Sequence, residues 1–291
     1  MKIVHSFWSI PTHRFNNETD EKKYGGWRSQ KFMYMSWALS CLRALTWYDR
    51  VELVTDHEGA RLLIDTLQLP YTRVHTGLDK LNHYSSHLWA VGKLYTYSLQ
   101  EEPFIHIDND VFIGSRFPER IEKASLVGQH MELDVGQYAL GYSEMLEKNF
   151  YMPQFLQEDI RRNNDFKATN AGIIGGNNLD FIKEFTRTAF KFIDTNLNKF
   201  TTAVMGSSYA IIYEQYLFGA LARAREEAIE YYYSPDEVQL TDFSDFFNLF
   251  TAKKYVHFIG EAKDHWECCR NLEHQLALEY PDHYEKIMSV V

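Results

Sequence analysis

The sequence predicts an α/β protein with a mainly parallel, doubly wound sheet flanked by helices. Three observations carry that reading. Short apolar, β-branched runs alternate with longer segments of helical period. The first 75 residues read in the order βαβαβ. The run Phe104 to Ile113 reads as a buried strand that carries two acids, Asp108 and Asp110.

Residues 2 to 8 form the first expected strand, followed by a polar loop from Pro11 to Gly26. A helix from about Ser29 to Thr46 has Phe32, Met35, Leu39 and Leu42 as its apolar stripe. Val51 to Asp56 is the second strand, a helix covers about Gly59 to Leu67, and Tyr71 to Val74 is the third strand. After a loop at Leu78 to Ser86, a helix over His87 to Leu99 leads into the Phe104 to Ile113 run, and Ser125 to Gly128 reads as a further strand. Met131 to Asn164 lacks a clear period and is expected as loops and short helices. Gly172 to Gly176 returns as a strand. The next helix, Leu179 to Asn196, has Asn178 as its cap and Ile182, Phe185, Ala189, Phe192 and Ile193 on one face. Ser208 to Arg225 is another helix, and Tyr255 to Phe258 a last strand.

Composition narrows the function. The net charge of −10, without a run of Lys or Arg, argues against a nucleic-acid partner. The N-terminal apolar stretch is too short for the core of a signal peptide, and no run is long enough to span a bilayer. Cys41 and the adjacent Cys268 and Cys269 make no disulfide framework or spaced zinc pattern, so a cytoplasmic location is expected. That expectation is compatible with peripheral attachment to a membrane face. The many aromatic rings are read first as core, including Tyr231, Tyr232 and Tyr233, although these could stack a sugar.

Two acids one residue apart on a buried strand point to one side, which is costly unless a cation or donors compensate. The plainer alternative is a solvated Asp-Asn-Asp turn. Two further segments weigh against it: Asn170-Ala171-Gly172-Ile173-Ile174 and His257-Phe258-Ile259-Gly260-Glu261-Ala262-Lys263. With these three motifs in this order, the chain resembles the nucleotide-diphosphosugar transferases of the GT-A (Rossmann-like) fold. Within them it is similar to the retaining family that contains glycogenin and lipopolysaccharide glycosyltransferases. The acid pair looks like that family's DxD motif at a strand end, and the resemblance runs to about Trp266.

The resemblance implies one domain over residues 1–291, with a nucleotide-binding half of about 1–130 and an acceptor-side half of about 131–291. A departing diphosphate needs its charge neutralised, and Mn²⁺ or Mg²⁺ is the expected cofactor. Asp110 and His257 are the expected metal ligands, with Asp108 at the ribose and near the metal. Lys263 is expected on the diphosphate, with Gly260 letting the backbone approach it. Asn170, Ala171 and Gly172 fall on the sugar side of the donor, and Lys93 reaches the diphosphate or sugar. Glu214 and Gln215 resemble the family's Asp-Gln near sugar and acceptor. Each residue also has an ordinary reading: a core-edge histidine, a loop end before a strand, a surface lysine, an exposed helix pair.

The chain departs from the pattern at Asp264-His265-Trp266 after the lysine, at Asn109 between the acids, and at Glu214 in place of Asp. The expected activity is metal-dependent transfer of a hexose from a nucleoside diphosphate sugar, most simply a UDP-sugar, to a glycan or glycolipid hydroxyl. The alternatives are a catalytically silent GT-A saccharide- or partner-binding module and a metal-dependent nucleotide-sugar hydrolase. Acceptor selectivity is expected in 131 to 164 and 231 to 250.

Overall fold

The computed structural model describes residues 1–14, 23–133, 136–162, 166–200, 206–234 and 254–291. Part of the expected 11 to 26 loop, parts of 131 to 164, and 235 to 250 of the expected acceptor segment lie outside the described residues.

Among the described residues the strands are β1 (Lys2–Phe7), β2 (Val51–Thr55), β3 (Arg73–Thr76), β4 (Phe104–Ile107), β5 (Val111–Ile113), β6 (Leu126–Gly128), β7 (Met131–Glu132), β8 (Ala168–Thr169), β9 (Ile173–Gly176), β10 (Ile229–Tyr231) and β11 (Tyr255–His257). Seven of them form one sheet in the order β10-β6-β9-β4-β1-β2-β3. The pairs β1 with β2, β2 with β3, and β10 with β6 are parallel, and β6 with β9 is antiparallel. Strand order runs from β3 back to β1 and then to β4 and beyond. Asp108 immediately follows the carboxyl end of β4.

The Phe104 to Ile113 run is not one strand. It breaks at Asp108–Asp110, where the Val111 N–H donates to the Asp108 carbonyl at 3.0 Å and closes a turn. β5 then joins a separate two-stranded sheet with β11. Strand alternation therefore does not set the directions of the two acids. The turn is not a solvated one either, because Asp110 is only 4 % exposed.

The chain divides into two compact units, interleaved in sequence. One contains Met1, His83–His106 and Pro118–Val238, the other Lys2–Asn82, Ile107–Phe117 and Gln239–Val291, in each case over their described residues. In the second, the helix Gln30–Trp47 buries every residue from Phe32 to Ala44. A helix apolar nearly all round must be covered on every side. It packs on β2, on β5 and on the helices Trp266–Glu279 and Pro281–Met288, pinned by Lys31 to Glu273 at 3.0 Å and Arg43 to Glu279. Those two C-terminal helices were not foreseen.

In the first unit, helix Leu179–Thr195 starts as expected, the Asn178 side chain accepting from the Phe181 N–H at 3.0 Å. Its apolar face meets helix Leu217–Ala224, where Phe181 and Phe185 stand edge-on to Phe218 at 5.5 and 5.1 Å. The helix expected from His87 begins later, at Val91, and ends at Ser98. The segment expected as loops and short helices holds the helices Gly136–Glu147 and Gln154–Arg162.

Two glycines let β9 lie in the sheet. A Cβ on Gly175, at φ +151°, would stand 2.2 Å from the Phe104 carbonyl, and one on Gly176, at φ +129°, 2.2 Å from that of Ser125. Both neighbours are backbone and cannot turn aside. Gly175→Ala is therefore expected to cost about 3 kcal/mol or more, a fall in Tm of roughly 5–10 °C. Unchanged thermal unfolding would show that β9 is not held this tightly.

Among the described residues, no helix is long and apolar enough to cross a membrane.

Candidate functional site

The second unit gathers Asp108, Asp110, His257 and Lys263. The antiparallel register pairs His257 with Val111, and the Phe258 N–H donates to the Asp110 carbonyl at 3.0 Å, so the histidine is delivered beside the acid turn. One donor atom each from Asp108, Asp110 and His257 lie within 4.8 Å of one another. His257 Nε2 stands 3.3 Å from Asp110 Oδ1, and Lys263 Nζ stands 2.6 Å from Asp110 Oδ2. Burial would raise the pKa of Asp110, but Lys263 and then His257 outweigh it and hold the carboxyl well below the usual carboxylate range.

The turn is fastened from behind by the Gln30–Trp47 helix. Ser36 and Ser40, four residues apart on one face, donate their hydroxyls to the Asn109 and Val111 carbonyls, each at 2.7 Å. With its proton used this way, Ser40 accepts from His5 Nε2 at 3.0 Å, which leaves His5 Nδ1 to accept from the Tyr71 hydroxyl at 3.0 Å. His5 is fully buried, and burial pushes its pKa down to about 3, so the relay is neutral and keeps one direction across the working pH range. Sequence reading missed all four residues. The spacing of Ser36 and Ser40 inside an otherwise apolar helix was the available signal.

Lys263 closes the single turn Gly260–Lys263. Gly260 has φ +56°, and a Cβ there would meet no atom within 4 Å, so the turn needs its left-handed conformation rather than its small size. Asp264 is exposed and faces Arg28, whose Nη1 donates to the Asp264 carbonyl at 3.0 Å. Trp8, which follows β1, is buried and donates from Nε1 to Asn82 at 3.2 Å. The three cysteines are free and buried, and burial raises the thiols of Cys268 and Cys269 to about 12 and about 11, which fits structural roles.

The first unit gathers the other candidates. Glu214 is fully buried, not an exposed helix residue. It lies in the wide turn Ile212–Tyr216, a π-helical stretch between the helical segments Gly206–Ile211 and Leu217–Ala224. Its Oε1 accepts from the Tyr97 hydroxyl at 2.9 Å and stands 3.3 Å from Lys93 Nζ. Lys93 is largely buried, with its ammonium 5.1 Å from the centre of the Trp89 ring. It is not the surface lysine of the ordinary reading.

Asn170 is buried. Its Oδ1 accepts from the Gly172 N–H at 2.9 Å, folding Asn170-Ala171-Gly172 into a turn before β9, and its Nδ2 donates to Glu132 Oε1 at 2.7 Å. The Tyr138 hydroxyl stands 2.5 Å from Glu132 Oε2 and 2.8 Å from Gln215 Oε1. Burial first and Glu132 second raise the Tyr138 pKa, so the hydroxyl keeps its proton to donate. Glu132 thus ties the Asn170 turn to Tyr138, and through that hydroxyl to Gln215. It was not singled out in the sequence, where it stands in a segment with no period to mark its direction. Of the three tyrosines, Tyr231 is half-buried, its hydroxyl 3.0 Å from Thr169 Oγ1.

Two carboxylates and an imidazole make a donor set suited to a hard or borderline divalent cation such as Mn²⁺. The ammonium of Lys263 adds a second kind of cation at the same carboxylate. No curated protein matches the chain. Over residues 1–290 the chain matches a family described as a family of unknown function, DUF6734, and it belongs to that family.

Proposed function

We propose that this protein is a metal-dependent glycosyltransferase that moves a hexose from a nucleoside diphosphate sugar, in the first instance a UDP-sugar, to a hydroxyl of a glycan or glycolipid. One observation carries the reading: Asp108, Asp110 and His257 present their donor atoms within 4.8 Å, with Lys263 at the same carboxylate. Asp110 and His257, joined by Asp108, would hold Mn²⁺ or Mg²⁺, which supplies positive charge to the diphosphate as it departs. Lys263 offers an ammonium to the same oxygens. Asn170, Ala171 and Gly172 are assigned to the sugar, and Glu214 and Gln215 to the sugar and acceptor. If the anomer is retained, the departing phosphate assists the incoming hydroxyl and no separate protein base is needed. The GT-A assignment belongs to this proposal, supported by the 3-2-1-4 strand order and by the acid turn that follows β4.

The test is a thermal-shift panel of UDP, GDP, CDP and dTDP sugars with and without Mn²⁺. A ligand at 100 times its Kd adds about 2.7 kcal/mol to apparent stability, so the responding base is expected to raise Tm by several degrees only when Mn²⁺ is present. A flat panel in Mn²⁺ would overturn the reading.

One observation favours a second reading, a silent saccharide- or partner-binding module. Lys263 already pairs with the buried Asp110 without a metal, at 2.6 Å. Saccharide binding indifferent to Mn²⁺ and to EDTA would favour it.

A further inference from the structure

We propose that Lys263 makes this centre take up a divalent cation together with a diphosphate and not the cation alone. The inference rests on the metal-dependent reading above and assigns Lys263 a role in selecting what binds.

The argument begins at Asp110. Its Oδ2 meets the Lys263 ammonium at 2.6 Å, while Oδ1 is buried without a hydrogen bond and has His257 Nε2 3.3 Å away. The residue is 4 % exposed, so water has little part in balancing its charge. A divalent cation on either oxygen would share one carboxylate with the ammonium, and two positive charges so close in a poorly solvated site repel strongly, which drives the ammonium off Oδ2. The displaced ammonium then needs an anion, and diphosphate oxygens held by the same cation supply one.

Lys263 is built for such an exchange. Its backbone is fixed, since its carbonyl accepts from the Arg28 N–H at 3.3 Å and from Cys269 Sγ at 3.3 Å. Its side chain is long, 19 % exposed, and runs past Gly26, where even a Cβ would stand 3.7 Å from Lys263 Cε. The ammonium can therefore leave Asp110 while the main chain stays in place. By linkage, cation and diphosphate then raise each other's affinity by one common factor.

The experiment titrates Mn²⁺ alone into the full chain as wild type, Lys263→Met and Asp110→Asn. It then repeats each titration with inorganic pyrophosphate or UDP present, corrected for Mn²⁺ binding to the diphosphate in buffer. Bound Mn²⁺ is read by electron paramagnetic resonance, and thermal unfolding confirms that each variant is folded. In wild type, diphosphate is expected to tighten Mn²⁺ binding by about 10-fold or more. Lys263→Met is expected to bind Mn²⁺ alone about 10-fold more tightly than wild type and to lose most of that enhancement. Equal or weaker binding of Mn²⁺ alone by Lys263→Met, with the enhancement intact, would overturn the proposal. Asp110→Asn separates the two failures: if it binds Mn²⁺ as wild type does, the metal reading itself is wrong, whatever Lys263 does. Enhancement by UDP but not by pyrophosphate would show that the nucleoside is part of what Lys263 selects, and would still support the exchange.

Discussion

Asp110→Asn is expected to abolish Mn²⁺-dependent nucleotide binding, weakening it by about 100-fold or more, while the protein stays folded. The size follows from position. Even residues that only orient metal ligands cost 10- to 100-fold when removed, and Asp110 is itself a proposed ligand, within 4.8 Å of Asp108 and His257 donors. The fold survives because the turn does not depend on that carboxylate. Asn109 and Val111 are held through their carbonyls by Ser36 and Ser40, and Phe258 binds the Asp110 backbone. The substitution removes the partner of Lys263, and breaking a buried ion pair costs about 3–5 kcal/mol. Lys263 is partly exposed and can turn to water, so about 2–3 kcal/mol is expected here.

The same substitution has a signature in acid. Asp110 is held below the usual carboxylate range in the folded protein, so its contribution to stability is fully present above the unfolded value near pH 4. It is lost as pH falls through that value toward the lower folded one, because the unfolded chain binds the proton first. Between about pH 5 and pH 2, wild type should therefore lose stability more steeply than Asp110→Asn. Denaturant midpoints measured across that window check it. Parallel curves for the two proteins would mean that the Lys263 and His257 pairing does not act on Asp110 in solution.

What could be read from the sequence divides along a physical line. Elements whose own period or cap defines them were legible: β1, β2 and β6 fall within a residue or two of expectation, as does the Asn178-capped helix with its buried face. Elements defined by what covers them were not. By its spacing of Phe32, Met35, Leu39 and Leu42, the Gln30–Trp47 helix reads as one-sided and amphipathic. It is buried all round because two C-terminal helices cover its other side. The run Phe104 to Ile113 reads as one strand by composition, since every residue flanking the acids is β-branched or aromatic. It is two strands because β5 finds its partner in β11, some 140 residues on, and no local propensity reports that pairing.

The candidate site divides the same way. Asp108, Asp110, His257 and Lys263 are each marked in the sequence by a short motif, and the β5–β11 register and the turn after it bring them together. The groups that hold them in place left only faint marks. Ser36, Ser40, His5 and Tyr71 act through hydroxyls, an imidazole and backbone carbonyls, and read singly as routine polar interruptions of a core. Glu132 joins Asn170 and Tyr138 from a two-residue strand too short to show alternation.

Glu214→Ala is expected to be among the most destabilising single changes in the first unit, costing about 3–5 kcal/mol and lowering Tm by roughly 10 °C. The carboxylate is fully buried with Lys93 at 3.3 Å and the Tyr97 hydroxyl at 2.9 Å, so its loss takes the counter-charge from an ammonium that is itself largely buried. Glu214→Gln keeps an acceptor for Tyr97 and removes only the charge, and should cost less, about 1–3 kcal/mol. The double change Glu214→Leu with Lys93→Met removes both charges together and is expected to recover much of the loss, because apolar pairs of similar volume often replace buried ion pairs without penalty. That recovery is the decisive comparison. A pair that can be exchanged for hydrocarbon with little loss is not kept for stability, and its place in a π-helical turn, a distortion frequent at functional sites, points the same way. On the proposed function the double variant folds and transfers no sugar. A double variant that folds and transfers sugar at the wild-type rate would remove Glu214 and Lys93 from the site, and one that fails to fold would return them to the core.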